Sequence, residues 1–293
     1  MSAPRPSSRL VLIYGLLALL TVALGCLVCG LSGVAAASWL RNLIAWTVGA
    51  VAAGGLAAMA GRRTAMILLG VAVVVVGASL AGAPQQGVHR WLDLGPLHIN
   101  VAFVALPAAV VALAWHRERR LAWGLVLAVQ GLLVVQPDAS QATAFGLALG
   151  VVALQAPLST RLRYGIIGLA TALAAASWLR PDPLEAIPEV EGIVGLAYAV
   201  SPVLALLAVV VLVATLLAPV LVAGSADRQG QTGGLALSAY FLTAAATTLF
   251  GAFPMPLLGV GMSPILGFWL GVGLLAATLR QSPGGAASPA SGS

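Results

Sequence analysis

The stretch that decides the architecture is residues 121–154, LAWGLVLAVQGLLVVQPDASQATAFGLALGVVAL. About 20 apolar residues cross a bilayer as one helix, because each backbone polar group must find its partner inside the segment. This run is too long for one crossing, and Gln136-Pro137-Asp138 breaks it near the middle. Proline cannot continue a helix and aspartate favours turns, so the stretch reads as two spans joined by a polar turn.

Working outward, the same grammar repeats along the chain. Cutting at charged or Pro/Gly-rich breaks gives candidate spans at 10–31, 39–60, 64–83, 98–115, 121–136, 140–157, 162–179, 192–222, 233–253 and 256–279. Composition agrees: 8% charged against about 25% in soluble domains, 60% hydrophobic, and a mean hydropathy of +1.04. The expected fold is all-α, a polytopic integral membrane bundle of about ten helices. The first run is too long for a signal-peptide core and reads as a retained span, although Ala35-Ala36-Ala37 could mimic a cleavage site. The eighth is longer than a bilayer requires and carries Pro202 and Pro219, which predicts a kink, a tilt or an interfacial entry.

All 14 basic residues are arginine. Placing the N-terminus inside puts Arg5, Arg9, Arg62, Arg63, Arg117, Arg119, Arg120, Arg161, Arg163, Arg228 and Arg280 in the cytoplasm and leaves only Arg41, Arg90 and Arg180 outside, as the positive-inside rule requires. Both termini are then cytoplasmic. The chain divides into a tail 1–9, a transmembrane domain 10–280 and a disordered tail 281–293. No basic run is interleaved with aromatics, so nucleic acid is not an expected partner; membrane lipid is. Cys26 and Cys29 lie inside the first apolar run and read as packing residues. Gly146 with Gly150 and Gly267 with Gly271 have the four-residue spacing that lets helices approach closely.

Four polar islands on the outer side hold the candidate chemistry. The first, residues 85–96, contains Arg90, Trp91 and Asp93: a cation for phosphate with an aromatic wall, or merely an interfacial anchor. The second is Gln136-Pro137-Asp138. The third, residues 180–192, holds Asp182, Glu185, Glu189 and Glu191, carboxylates able to serve as a general base or to take a divalent cation, in what is otherwise a solvated acidic loop. The fourth, residues 253–264, loosens the start of the last span with Pro and Gly and includes Ser263. No span interior carries an acid or an arginine, which argues against a charge-relay transporter. His89, His98 and His116 lack metal-ligand spacing, so no metal ligands are assigned.

In order, the islands resemble the SEDS family (shape, elongation, division and sporulation; the FtsW/RodA/SpoVE group). Trp39-Leu40-Arg41-Asn42-Leu43-Ile44-Ala45-Trp46 looks like its F-x-x-R-Q-L-x-W. Gly87, Arg90, Trp91 and Gly95 match its N-G-A-R-R-W-I-x-x-G loop. Gln136-Pro137-Asp138 matches the start of Q-P-D-L-G-T-A, and Phe253-Pro254 through Ser263 is similar to L-P-F-x-S-Y-G-G-S-S. The resemblance covers roughly residues 10–280. It implies ten spans and a peptidoglycan glycosyltransferase that polymerises undecaprenyl-linked lipid II at the outer face, with a transpeptidase or division protein as partner. An outer carboxylate would deprotonate the attacking hydroxyl while cations or a metal offset the leaving pyrophosphate.

The sequence also departs from that pattern. The family's Q-P-S-E-x-x-K falls on Asn100–Leu106, so Phe103 replaces the acid and Leu106 the lysine. The family's catalytic Asp falls on Ile193, with Glu191 the nearby substitute. The resemblance thus makes Glu191 and Asp138 the catalytic candidates, and Arg90, Trp91, Asp93, Gln136, Glu189 and Ser263 the substrate-binding ones. A small-solute or lipid permease and a non-catalytic membrane scaffold are the competing readings.

Overall fold

The computed structural model describes residues 5–281 except Pro96; the expected disordered tail lies, from residue 282 on, outside the described residues. The described chain contains eleven α-helices: α1 (Pro6–Leu31), α2 (Ala36–Met59), α3 (Arg62–Ser79), α4 (Val101–Trp115), α5 (Arg120–Val135), α6 (Ala139–Gln155), α7 (Thr160–Trp178), α8 (Ile193–Val200), α9 (Pro202–Ala223), α10 (Arg228–Ala246) and α11 (Met262–Gln281). Five of them, α1, α2, α3, α9 and α11, are long and apolar enough to cross a membrane, and large apolar side chains such as Leu16, Val51, Val74 and Val203 face outward. Leaving so many of these in water would be costly, so the bundle is that of a multi-pass membrane protein.

The polar residues set the breaks. Asn100, Asp138, Ser159, Ser201 and Asp227 each cap a helix by accepting a backbone N–H in its first turn. The long eighth run is broken at Ser201, where Pro202 opens α9, so it forms a short helix followed by a full-length one.

The expected helical bundle carries one short non-helical element. Between α3 and α4 the first island folds into an antiparallel β-hairpin, β1 (Trp91–Leu94) against β2 (Leu97–Asn100). Hence α4 starts at Val101, not at residue 98, because His98–Asn100 pair with Trp91–Asp93. Just before it, Gln85 and Val88 bridge across a two-residue turn in which Gln86 and Gly87 both have positive φ, as a primed turn requires; Gly95, at φ 62°, opens the hairpin turn. Side chains alternate across a strand, so Trp91, Asp93, His98 and Asn100 share one face of the hairpin and Leu92 and Ile99 share the other. The apolar face borders a groove of ≈ 280 Å³ that also includes Leu68, Val71, Val75 and Val104.

Of the five long apolar helices the most buried is α11, which packs between α2 and α4. Contact is possible because Gly267 passes the α4 backbone so closely that a Cβ would lie 1.8 Å from the Phe103 carbonyl oxygen. A Cβ on Gly271 would come within 2.8 Å of Pro107. Of the other small pair, Gly146 approaches Ala170 of α7 whereas Gly150 faces open space.

Candidate functional site

Arg90 precedes β1 and is 2% exposed. Its Nη2 donates to Asp182 Oδ2 at 2.5 Å and to the Pro137 carbonyl, its Nε lies 3.6 Å from Asp138 Oδ2, and its guanidinium carbon sits 5.6 Å from the centroid of the Phe253 ring. One side chain thus ties the first island to the other three. A guanidinium suits this task because its planar fork carries five donors, while a lysine ammonium is a point charge.

The electrostatics follow from the count of one cation to two carboxylates. Burial pushes the Asp138 carboxyl above the usual aspartate range, with the Asp182 charge adding to the rise; the Arg90 charge and the Gln141 backbone N–H work the other way. Arg90 Nε and Asp138 Oδ2 face one another without a hydrogen bond to any described residue. Asp138 Oδ1 meanwhile caps α6 through Gln141 N at 3.2 Å.

Beside this pair lies a cavity of ≈ 100 Å³ lined by Arg90, Trp91, Asn100, Asp138, Ser140 and Glu191, with Phe103 and Phe253 as apolar walls. The third island lies over it, contributing Leu184, Glu185 and Ile187. That island is docked on the fourth: Met255 N donates to Val190 O at 3.1 Å and Val260 N to Glu189 O at 2.8 Å. Asn42 of α2 holds the fourth in turn, its Nδ2 donating to Gly259 O at 2.9 Å and its Oδ1 accepting from Gly261 N at 3.0 Å. Glu191 accepts from Ile187 N at 2.7 Å, and its carboxyl is raised above the usual glutamate range by partial burial.

Of the candidates read from sequence, the cavity gathers Arg90, Trp91, Asp138 and Glu191. The others lie apart. Asp93 pairs with His98 at 2.5 Å on the exposed hairpin face. Gln136 is buried and donates to Val76 O at 3.0 Å and to Ser79 Oγ, anchoring the turn to the end of α3. Glu189 contributes a backbone oxygen to the loop docking. Ser263 Oγ accepts from Asn100 N at 3.0 Å, so it supports the residue that lines the cavity. Sequence reasoning missed Asn42, Asn100, Ser140 and Asp182 as site residues. Asp182 left a signal as an acid in the same island as Glu191, and Asn42 and Asn100 lie in stretches compared with family motifs. Among the described residues no group of three or more His, Cys, Asp or Glu is placed to hold a metal ion.

A second, separate cavity of ≈ 580 Å³ lies at the other end of the bundle, lined by Arg62, Arg117, Glu118, Arg163 and Arg228 among others. Between the two, α4 and α6 contribute Leu106, Val110, Leu113, Phe145, Leu149 and Val152, all fully buried, so the region a permease would need as a path is filled.

This arrangement of helices has solved counterparts. A mutant form of the rod shape determining protein RodA of Thermus thermophilus superposes with a TM-score of 0.69 at 22% identity, over 92% of this chain and 97% of that one. The chain has the RodA fold. The unmutated RodA gives 0.68 over 92% and 96%, also at 22% identity, and a chain from a structure on the coordination of polymerization and crosslinking by a peptidoglycan synthase complex gives 0.64 over 91% and 96%. In sequence, a Synechocystis protein named "Probable peptidoglycan glycosyltransferase FtsW" is 29% identical over 107 residues, a match that spans 33% of this chain and about a quarter, 27%, of that relative. No family model matches the chain. RodA and FtsW are both SEDS proteins.

Proposed function

We propose that this SEDS-type chain acts in bacterial peptidoglycan synthesis, in cell division or in cell-shape control, and binds an undecaprenyl-linked precursor of the lipid II class at the outer face of the inner membrane. On this reading residues 10–280 form the functional domain, with ten spans and both termini cytoplasmic. The observation that carries it is the convergence of Arg90, Asp138 and Glu191 from three islands on one cavity, beside a hairpin whose other face borders an apolar groove. Such a layout suits an amphiphile: saccharide against Trp91, Asn100 and Ser140, polyprenyl chain along Leu92 and Ile99.

Glu191 is the residue to take the proton from the acceptor hydroxyl as that oxygen attacks the sugar carbon bearing the pyrophosphate. It is half-buried, lines the cavity and has a raised pKa, which moves a carboxylate towards useful basicity. Arg90, already shared between two carboxylates, has little charge to offer a departing pyrophosphate, and the residues around the cavity do not make a resident divalent-cation site. Turnover is accordingly expected to be slow without help from a transpeptidase or division-protein partner.

The test is polymerisation of fluorescent lipid II by the purified chain and its Glu191→Gln variant. A loss of about 10²-fold or more supports glycosyl transfer through Glu191, and equal rates would sink it. A scaffold that binds lipid II without polymerising it is the second reading, favoured by the buried Phe103 at the position where the resemblance places an acid. It predicts saturable lipid II binding and no product from either protein.

A further inference from the structure

Four arginines and one glutamate line the second cavity, and the proposed function leaves it without a role. Four turns at the end opposite Arg90 meet around it: α2–α3 with Arg62, α4–α5 with Arg117 and Glu118, α6–α7 with Arg163, and α9–α10 with Arg228. Glu118 pairs with Arg62. Among the described residues, Arg117, Arg163 and Arg228 have no carboxylate within salt-bridge distance. Asp227, the other acid at this end, accepts from Gly230 N at 2.9 Å and caps α10.

Three of the four turns are tied to one another, and the other is closed on itself. His116 Nε2 donates to Arg62 O at 2.8 Å, joining the first turn to the second. Gln229 Nε2 donates to Trp115 O at 2.9 Å, joining the fourth to the second, and Arg163 donates to Ala153 O at 3.2 Å and Ala156 O at 3.3 Å, closing the third. Fixing membrane orientation requires arginines near one face of the bilayer but gives no reason for four turns to bring them round a common space. Guanidiniums held together without matching acids repel one another, and a multivalent anion removes that repulsion.

We infer that this cavity binds a phosphate-bearing anion, held by Arg117, Arg163 and Arg228 with Arg62 as a fourth cation released from or shared with Glu118. The shared chemistry is the phosphate group, whether carried by an acidic phospholipid headgroup or free in solution. Planar guanidiniums bind phosphate oxygens in pairs, and ≈ 580 Å³ accommodates a glycerophosphate headgroup as well as a smaller ion.

The full chain is purified in neutral detergent and titrated, with bound ligand counted by native mass spectrometry, against phosphatidylglycerol, phosphatidylcholine and inorganic pyrophosphate. Saturable retention of phosphatidylglycerol or of pyrophosphate is expected, weakened at least about tenfold in the Arg117→Gln/Arg228→Gln double variant. Preference for phosphatidylglycerol without competition by pyrophosphate identifies the lipid headgroup; competition by pyrophosphate identifies the soluble anion. Equal retention of phosphatidylglycerol and phosphatidylcholine together with no pyrophosphate binding overturns the inference, as does unchanged binding in the double variant. Should that variant misfold, Arg117→Lys/Arg228→Lys together with salt titration of the wild type decides: binding insensitive to salt overturns the inference. Glu191 and Arg90 lie outside this cavity, so lipid II polymerisation and anion binding can fail independently.

Discussion

Arg90 and Asp182 stand 92 residues apart in the chain, yet the guanidinium Nη2 of one donates to the carboxylate of the other at 2.5 Å, with Asp138 on the guanidinium's other side. This contact links the hairpin to the loop over the cavity. Removing the cation leaves the buried Asp138 carboxyl and the partly exposed Asp182 carboxylate without their compensating charge. Arg90→Met is therefore expected to destabilise the protein by about 3–5 kcal/mol, read as a lowered melting temperature in detergent. Arg90→Lys should recover only part of it, since an ammonium cannot reproduce the fork that serves Asp182 and Pro137 at once.

Asp138 makes stability depend on pH. Its folded pKa is raised, so the native state holds a proton that the unfolded chain gives up at about pH 4. The contribution is fully present below that pH and is lost as pH rises through the folded value. Asp138→Asn keeps a good N-cap for α6 and leaves Arg90 its Asp182 partner, so thermal melts of the variant between pH 4 and 8 should show a flatter profile than the wild type. Superimposable profiles would count against an uncompensated Asp138.

If Glu191 is the general base, polymerisation rises with pH through a pKa above the usual glutamate range, because only the carboxylate form accepts a proton. The pH–rate profile of kcat/KM should show that ascending limb. In Glu191→Gln any residual activity should lack it.

Gly267→Ala places a methyl carbon 1.8 Å from the Phe103 carbonyl oxygen, and backbone cannot yield as a side-chain tip can. The α4–α11 contact must open, at a cost of about 1–3 kcal/mol or more in thermal stability. Gly150→Ala, with nothing within 4 Å, serves as the control and should be neutral or stabilising by up to about 1 kcal/mol.

Asn42→Ala removes both hydrogen bonds to the fourth island, and the Gly259 carbonyl and Gly261 N–H lose their side-chain partner. The expected loss is about 1–3 kcal/mol, with faster amide exchange across residues 255–261. Asn42→Asp should restore the bond from Gly261 N but not the one to Gly259 O, so its exchange protection should fall between the two.

The chain's own pattern determined the bundle. Apolar runs of bilayer length leave the backbone no option but helix, and polar residues such as Asp138, Ser159 and Ser201 stop or start those helices through local capping, which depends on neighbours three residues away. The polar islands were legible as islands for the same reason. Their convergence was not, nor was the hairpin: residues 91–100 pair only because Gly95 turns the strand back, whereas in sequence 91–96 belonged to a polar island and 98–100 to the start of a span. Spacing in sequence carries no information on which islands touch, so the sequence named Arg90, Trp91, Asp138 and Glu191 but equally Asp93, Gln136, Glu189 and Ser263. Tertiary packing separated the two sets. The close glycine contacts of α11 and the Asn42 clamp fix where each loop sits, and only then does the low-dielectric interior decide which charges must find one another.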